Sequence, residues 1–223
     1  MWAVWDLVFS RSVNVLIPDF PPPNTICGEN LVCTPKLAAK LLYTGPLIRA
    51  SNEDSNDSPA CDVLLVLNTG FSSSLMREII ETMDDAPDLT CHVVGSQAGD
   101  WPNSGSFQNI GLTDNVLQHI VNSKVVVSTG GHTTICESVC SGKPIMCSPI
   151  SNHNEQENNI RFLEVKKLGI RLSQDASHQV VSDGIRCLLE GGEYRLNCGK
   201  FRGEYRQNAG TYFSRLLKSI NSL

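Results

Sequence analysis

No stretch of about 18 consecutive apolar residues occurs in this sequence, so no segment reads as a membrane-spanning helix. Nor is there a surplus of basic charge. Eighteen Lys and Arg stand against 23 Asp and Glu, a net charge of −5. A broad nucleic-acid footprint needs a basic face, so that class is excluded, whereas a small pocket for a diphosphate is not. There is no CxxC pair, no internal repeat and no low-complexity tract. The nine cysteines are an odd number. Cys61, Cys91 and Cys147 sit in or beside apolar runs, where a thiol behaves as a small hydrophobe. They read as reduced thiols of a cytoplasmic protein, not as a disulfide framework. Zinc on Cys27 and Cys33 would need two further ligands that the spacing does not supply. The opening MWAVWDLVFSRSV is apolar but short. It lacks a basic leader and a small-residue cleavage site, so it reads as a helix of a larger domain and not as a signal peptide.

What is present fits one sizeable domain plus a fragment. The chain has 223 residues and is 41% hydrophobic, enough to bury a core without staples. Residues 50–60, ASNEDSNDSPA, are polar throughout and mark a boundary. Before them come VNVLIPDFPPPNTICGEN, with three successive prolines forcing an extended turn, and the helix-like PKLAAKLL. After them the pattern alternates. CDVLLVL is a continuous apolar run, as in a strand buried on both faces, and SLMREIIETM has helical spacing. LTCHVV, FQNIGL, KVVVS, KPIMCSP and IRL read as further strands. Between them lie helices at NVLQHIVNS (capped by Thr113 or Asp114), HTTICESVCS and EQENNIRFLEVKKLG. Two more, at about 175–190 and 203–221, close the chain. Six strands with intervening helices predict an α/β fold, a Rossmann-like open parallel sheet with helices on both faces. Residues 1–50 form a preceding segment with a linker, 60–201 the sheet domain, and 202–223 a helix packing back toward that segment.

Three clusters carry chemistry. In S128-T129-G130-G131-H132-T133-T134-I135-C136-E137 an apolar strand runs into Gly130 and Gly131 and then a helix. Glycines permit a sharp turn and close approach of a ligand. The unpaired amides of a helix start, with the dipole behind them, make a phosphate site. Thr133 and Thr134 add hydroxyls. Glu137, one turn on, offers a carboxylate to the two hydroxyls of a ribose. The plainer reading is a strand-to-helix turn capped by Thr133, with Glu137 favouring the first turn and His132 a turn residue. The second cluster, His153, Glu155 and Gln156 in P149-I150-S151-N152-H153-N154-E155-Q156, sits beyond the next strand. It offers donors and acceptors to sugar hydroxyls, or is a solvated loop and an acidic helix start. The third, N68-T69-G70-F71-S72, gives a second glycine turn with Gly70 and Ser72, or a common serine cap.

Together these stretches resemble the C-terminal domain of GT-B glycosyltransferases. They are most similar to the MurG-like branch, glycosyltransferase family 28, in its archaeal-type form. The similarity lies in G130-G131-H132-T133-T134-I135-C136-E137 and in H153-N154-E155-Q156-E157-N158-N159, whose Gln156 and Asn159 look like the closing Gln-x-x-Asn of the donor signature. I17-P18-D19-F20-P21-P22-P23 and G45-P46-L47-I48 resemble the end of the family's N-terminal domain. The resemblance implies a UDP-sugar donor such as UDP-N-acetylglucosamine. Gly131, His132 and Thr133 (by backbone) and Thr134 (by hydroxyl) would hold the diphosphate, with Gly70 and Ser72 closing from the other side. Glu137 would bind the ribose, Glu155 and Gln156 would meet the sugar, and the uracil would pack near Gly111 and Leu112. It implies no metal and no cofactor. The first glycine turn is poorer in glycine than the family's pattern. The resemblance also implies that the N-terminal domain, with the acceptor site and the general base, is largely missing here, so that no residue is assigned to that base.

The expectation is therefore a glycosyltransferase of hexosyl or N-acetylhexosaminyl groups, active together with an N-terminal domain on the same or a separate subunit. Its acceptor would be a glycan or a lipid-linked sugar, met in the cytoplasm or at the cytosolic face of a membrane. A non-catalytic sugar-nucleotide-binding subunit or degenerate fragment, and a UDP-sugar 2-epimerase, remain as alternatives.

Overall fold

The computed structural model describes residues 9, 11–12, 14–48, 59–67, 70–95 and 107–221. Asn68, Thr69 and Trp101 lie outside them. The N-terminal segment holds β1 (Val15–Ile17), a 3-10 turn at Gly28–Leu31, α1 (Pro35–Ala38) and β2 (Leu41–Tyr43). β1 and β2 pair in parallel as a two-stranded ribbon. Then follow β3 (Cys61–Val66), α2 (Ser73–Asp84), β4 (Cys91–Val94), β5 (Phe107–Gly111), α3 (Val116–Val121), β6 (Ser123–Ser128), α4 (His132–Cys140), β7 (Ile145–Cys147), α5 (Asn154–Val165), β8 (Gly169–Arg171), α6 (His178–Glu190) and α7 (Gly192–Asn221).

β3 to β8 form one sheet in the order β5-β4-β3-β6-β7-β8, with every pairing parallel. Pleating sends successive side chains to opposite faces. Val63, Leu65, Val125 and Val127 point to one core, closed by Leu75, Ile79 and Met83 of α2 and by Val181, Ile185 and Leu188 of α6. Leu64, Val66 and Val126 point to the other, closed by Ile135 and Val139 of α4, Ile160 and Leu163 of α5 and Phe201 of α7. Each fully buried Leu or Ile contributes roughly 1.5–3 kcal/mol. This two-faced burial is why the central stretches Val63–Leu67, Val125–Val127 and Ile145–Cys147 are apolar at every position.

Three local expectations change. α3 is preceded by Asn115 at its N-cap, while the Thr113 hydroxyl instead accepts from Asn115 N at 3.1 Å. α6 starts at His178, after Ser177. The last helix begins at Gly192 and not near 203. Its glycines argue for a break, each costing about 1 kcal/mol in a helix. Burial of Cys198 and Phe201 in the second core overrides that local preference. Phe20 of the N-terminal segment enters the same core and meets Phe201 edge-on at 5.3 Å and Tyr205 at 6.4 Å.

Candidate functional site

Strand order reverses between β3 and β6, the switch point beyond whose carboxyl ends doubly wound sheets bind ligands. The turns after these two strands carry Gly70 and Ser72 on one side and Gly130, Gly131 and His132 on the other. After β6 the Ser128 hydroxyl accepts from Gly130 N at 3.1 Å and tightens the turn. Gly130 has φ +89. A side chain there would meet Ile160 Cδ1 at 2.9 Å, so the position is closed to other residues. Gly131 differs. It has φ −64, and a Cβ would find no atom within 4 Å. Gly131 is the N-cap of α4 and no side chain caps the helix. Nine residues of α4 therefore direct their dipole through uncapped amides beside an open backbone. Thr133 is exposed there, Thr134 is buried, and Glu137 is half-buried one turn along.

The rim after β7 splits into presented and anchored side chains. His153 and Glu155 are exposed, and His153 Nδ1 caps α5 by accepting from Gln156 N at 3.4 Å. Gln156 is buried, and its Oε1 accepts from Ile150 N at 2.8 Å. Asn159 is fully buried. Its Nδ2 donates to Gly130 O at 3.3 Å and its Oδ1 accepts from Asn30 Nδ2 at 3.1 Å. Buried carboxamides need partners, and here the partners are the scaffold of the glycine turn. Gly70, with φ +113, packs where a side chain would strike Ile150, so the β3 and β7 loops converge. Gly111 and Leu112 stand apart at the end of β5, with β4 between them and β3. Leu112 is 82% exposed, an apolar side chain with no burial of its own.

Two residues that sequence reasoning did not single out are central. Gln174, in the loop after β8, staples the rim. Its Nε2 donates to Gly70 O at 3.1 Å, and to Ser148 O and Pro149 O at 3.2 Å. Its Oε1 accepts from Ser72 N at 2.8 Å, and its carbonyl accepts from the Ser72 hydroxyl at 2.8 Å. Both polar groups of Ser72 are thus engaged within the protein. The one available signal was position, since Gln174 follows the edge strand at the rim where ligands bind. Asp19, in the loop after β1, is wholly buried. Its Oδ1 accepts from Phe20 N at 2.7 Å and its Oδ2 from Cys27 N at 2.8 Å. Oδ2 also lies 3.2 Å from His132 Nε2. Burial acts to raise the Asp19 carboxyl, but hydrogen bonds from His132 and Cys27 outweigh it and hold the pKa below the ordinary value. Burial, reinforced by Asp19, pushes the Cys27 thiol far up.

Ligand atoms of Asp19, Cys27 and His132 all lie within 4.8 Å of one another, the group among the described residues with metal-ligand chemistry. The carboxylate already serves two amides and an imidazole, and the thiol is held protonated, so the trio is built as a hydrogen-bond cluster. All nine cysteines are free. Among the described residues no helix is long and apolar enough to cross a membrane.

Against known proteins, residues 33–188 match the sequence profile of glycosyl transferase family 1. An uncharacterized glycosyltransferase of Methanosarcina acetivorans is 31% identical over 195 residues, covering 84% of this chain and 52% of its own length. One from Methanosarcina mazei is 30% identical over 198 residues, with the same coverage. The chain thus spans about half the length of the curated relatives it matches. Among solved structures, Phytolacca americana UGT2 complexed with UDP-2fluoro-glucose and pterostilbene aligns over 95% of this chain and 53% of its own, with TM-score 0.71 and 14% identity. The glycotransferase of kitacinnamycin aligns over 80% and 48%, with TM-score 0.63 and 20% identity. The spinosyn rhamnosyltransferase SpnG complexed with thymidine diphosphate aligns over 75% and 53%, with TM-score 0.58 and 15% identity. These likenesses show a shared α/β fold of the GT-B kind, and with the profile and the relatives they establish that the chain belongs to glycosyl transferase family 1.

Proposed function

We propose that this chain is the donor-binding half of a glycosyltransferase that takes a UDP-sugar and moves a hexosyl or N-acetylhexosaminyl group, in the manner of the MurG-like branch. The observation that carries this reading is the uncapped start of α4, with Gly131 open beside it, at the point where the strand order reverses. Neighbours solved with UDP-2fluoro-glucose and with thymidine diphosphate support a nucleoside diphosphate there. The amides of His132 and Thr133 face the diphosphate, and Glu137, one turn along, reaches the ribose. Exposed His153 and Glu155 meet the sugar, and exposed Leu112 shelters the base. Helix dipole and amides stabilise the charge that grows as the anomeric C–O bond to UDP breaks, a role that needs no metal. The acceptor hydroxyl, on a glycan or a lipid-linked sugar, forms the new bond. Its proton goes to a base outside this chain, in an N-terminal domain of the same protein or of a partner, in the cytoplasm or at a membrane's cytosolic face.

Isothermal calorimetry with UDP tests the site, and Glu137→Ala tests the ribose contact. The variant should keep its melting temperature and lose most UDP affinity, and equal affinity removes that contact. A second reading, a sugar-nucleotide-binding subunit without catalysis, is favoured by the engagement of both Ser72 groups by Gln174. Transfer assays on the chain alone and with a supplied N-terminal half separate the two.

A further inference from the structure

We propose that Asp19 is a positioning residue of the donor site: it grips the His132 imidazole across the gap between the N-terminal segment and the sheet domain, keeping that ring at the α4 tip where the leaving diphosphate lies. The inference rests on the donor-site reading and extends it. There the backbone of His132 faces the diphosphate, and here its side chain gains a role.

A carboxylate removed from water is unfavourable unless it is paired and hydrogen-bonded. Asp19 is fully buried, and its own loop supplies two amides. The imidazole at 3.2 Å is the ionisable partner that completes the set, and it comes from a residue 113 positions away, in the donor motif. A carboxylate against one imidazole nitrogen fixes ring orientation, the logic by which a buried aspartate orients a catalytic histidine. The His132 side chain is 23% exposed, so the ring is clamped along one edge while part of it stays open to solvent. A further neighbour is the Cys136 thiol, 3.5 Å from Nε2 and 3.8 Å from Nδ1, a weak partner that a phosphate oxygen would readily replace.

Stereochemistry assigns the task. In an in-line displacement the attacking hydroxyl approaches the anomeric carbon from the side opposite the leaving group. A side chain at the first position of α4 is beside the diphosphate, so it is placed to donate to the departing oxygens and not to deprotonate the acceptor. A charge-assisted N–H to phosphate is about twice as strong as a neutral one. Asp19 touches neither substrate nor reacting atoms. It acts through His132, and it makes the donor site depend on the loop that follows β1.

The test uses UDP and uridine as paired probes, with calorimetry on the wild type, Asp19→Asn, His132→Gln and the double variant. His132 reads phosphate, so each single change should weaken UDP at least tenfold and leave uridine within twofold. The double variant should be no worse than the weaker single. Equal losses for UDP and uridine, additive losses in the double variant, or wild-type UDP affinity in folded Asp19→Asn would each overturn the proposal. Should Asp19→Asn fail to fold, ring nitrogen-15 shifts of His132 in the wild type decide. They should move on adding UDP and stay still with uridine, and no movement overturns it. A wild type that binds no nucleoside diphosphate at all sinks the donor-site reading itself, an outcome distinct from normal UDP binding by Asp19→Asn.

Discussion

Gly130 and Gly131 are adjacent in sequence, yet their replacement by alanine should fail in opposite ways. At Gly130 the backbone has φ +89, which costs an L-residue about 1–2 kcal/mol. The new Cβ would stand 2.9 Å from Ile160 Cδ1 and 3.1 Å from Cγ1, and such overpacking costs about 1–3 kcal/mol more. Restricting the unfolded chain returns about 0.4–1 kcal/mol. The net loss is roughly 1.5–4 kcal/mol, a fall in melting temperature of about 3–15 °C for a chain of this size. At Gly131 the backbone has φ −64 and the added methyl meets nothing. Alanine is a poorer N-cap than glycine by about 1 kcal/mol or less, so the melting temperature should drop by no more than about 4 °C. The methyl would, however, stand where a diphosphate must approach the α4 amides. UDP affinity should fall tenfold or more, about 1.4 kcal/mol. Differential scanning calorimetry and UDP titration on both variants give the answer. Gly130→Ala melting with the wild type would overturn the steric account of that position, and unchanged UDP binding by Gly131→Ala would overturn the approach of the diphosphate to the α4 amides.

Gln174→Ala removes the staple that ties Gly70, Ser148, Pro149 and Ser72 together. If Ser72 serves the phosphate, its released amide should raise UDP affinity or leave it unchanged while hydrogen exchange at Ser72 quickens; a large loss of affinity would instead make Gln174 part of the site. The Asp19 carboxyl lies below its ordinary 3.8 in the fold, so its stabilisation is complete above that value and is lost as pH falls through the lower folded value. The melting-temperature gap between wild type and Asp19→Asn should therefore be constant from neutrality to about pH 5 and close below about pH 4; a gap that widens on acidification contradicts the assignment. Phe20→Ala empties a buried aromatic position against Phe201 and should cost about 3–5 kcal/mol by urea unfolding.

Much of the sheet domain was legible because its signals are local. A strand buried on both faces reads as an apolar run, as the chain does from Val63 to Leu67, and a positive-φ turn with no room for a side chain takes glycine, as at Gly130. The glycine turn that opens α4 was visible for the same reason. What escaped was decided by contacts far apart in the chain. Gln174 acts on Ser72 across 102 positions and Asp19 acts on His132 across 113, and nothing in either neighbourhood announces it. Gln156 and Asn159 show the complementary difficulty. Their residue types suit a sugar, yet burial commits Gln156 Oε1 and the Asn159 carboxamide to Ile150, Gly130 and Asn30. The start of α7 was hidden because helix propensity sums over neighbours, whereas Cys198 and Phe201 are held by the core.

At about 1.5 Å per residue, the 30 residues of α7 make a rod about 45 Å long. Near one end it is moored in the sheet domain by Cys198 and Phe201, and further along Tyr212 lies over Gly45, just past β2. The polypeptide therefore passes between its two parts twice, once between Ile48 and Pro59 and once inside a stiff shaft. The turn that carries Asp19 is thereby braced twice, by the shaft over Gly45, whose amide donates to the Asp19 carbonyl, and by Phe20 set in the second core.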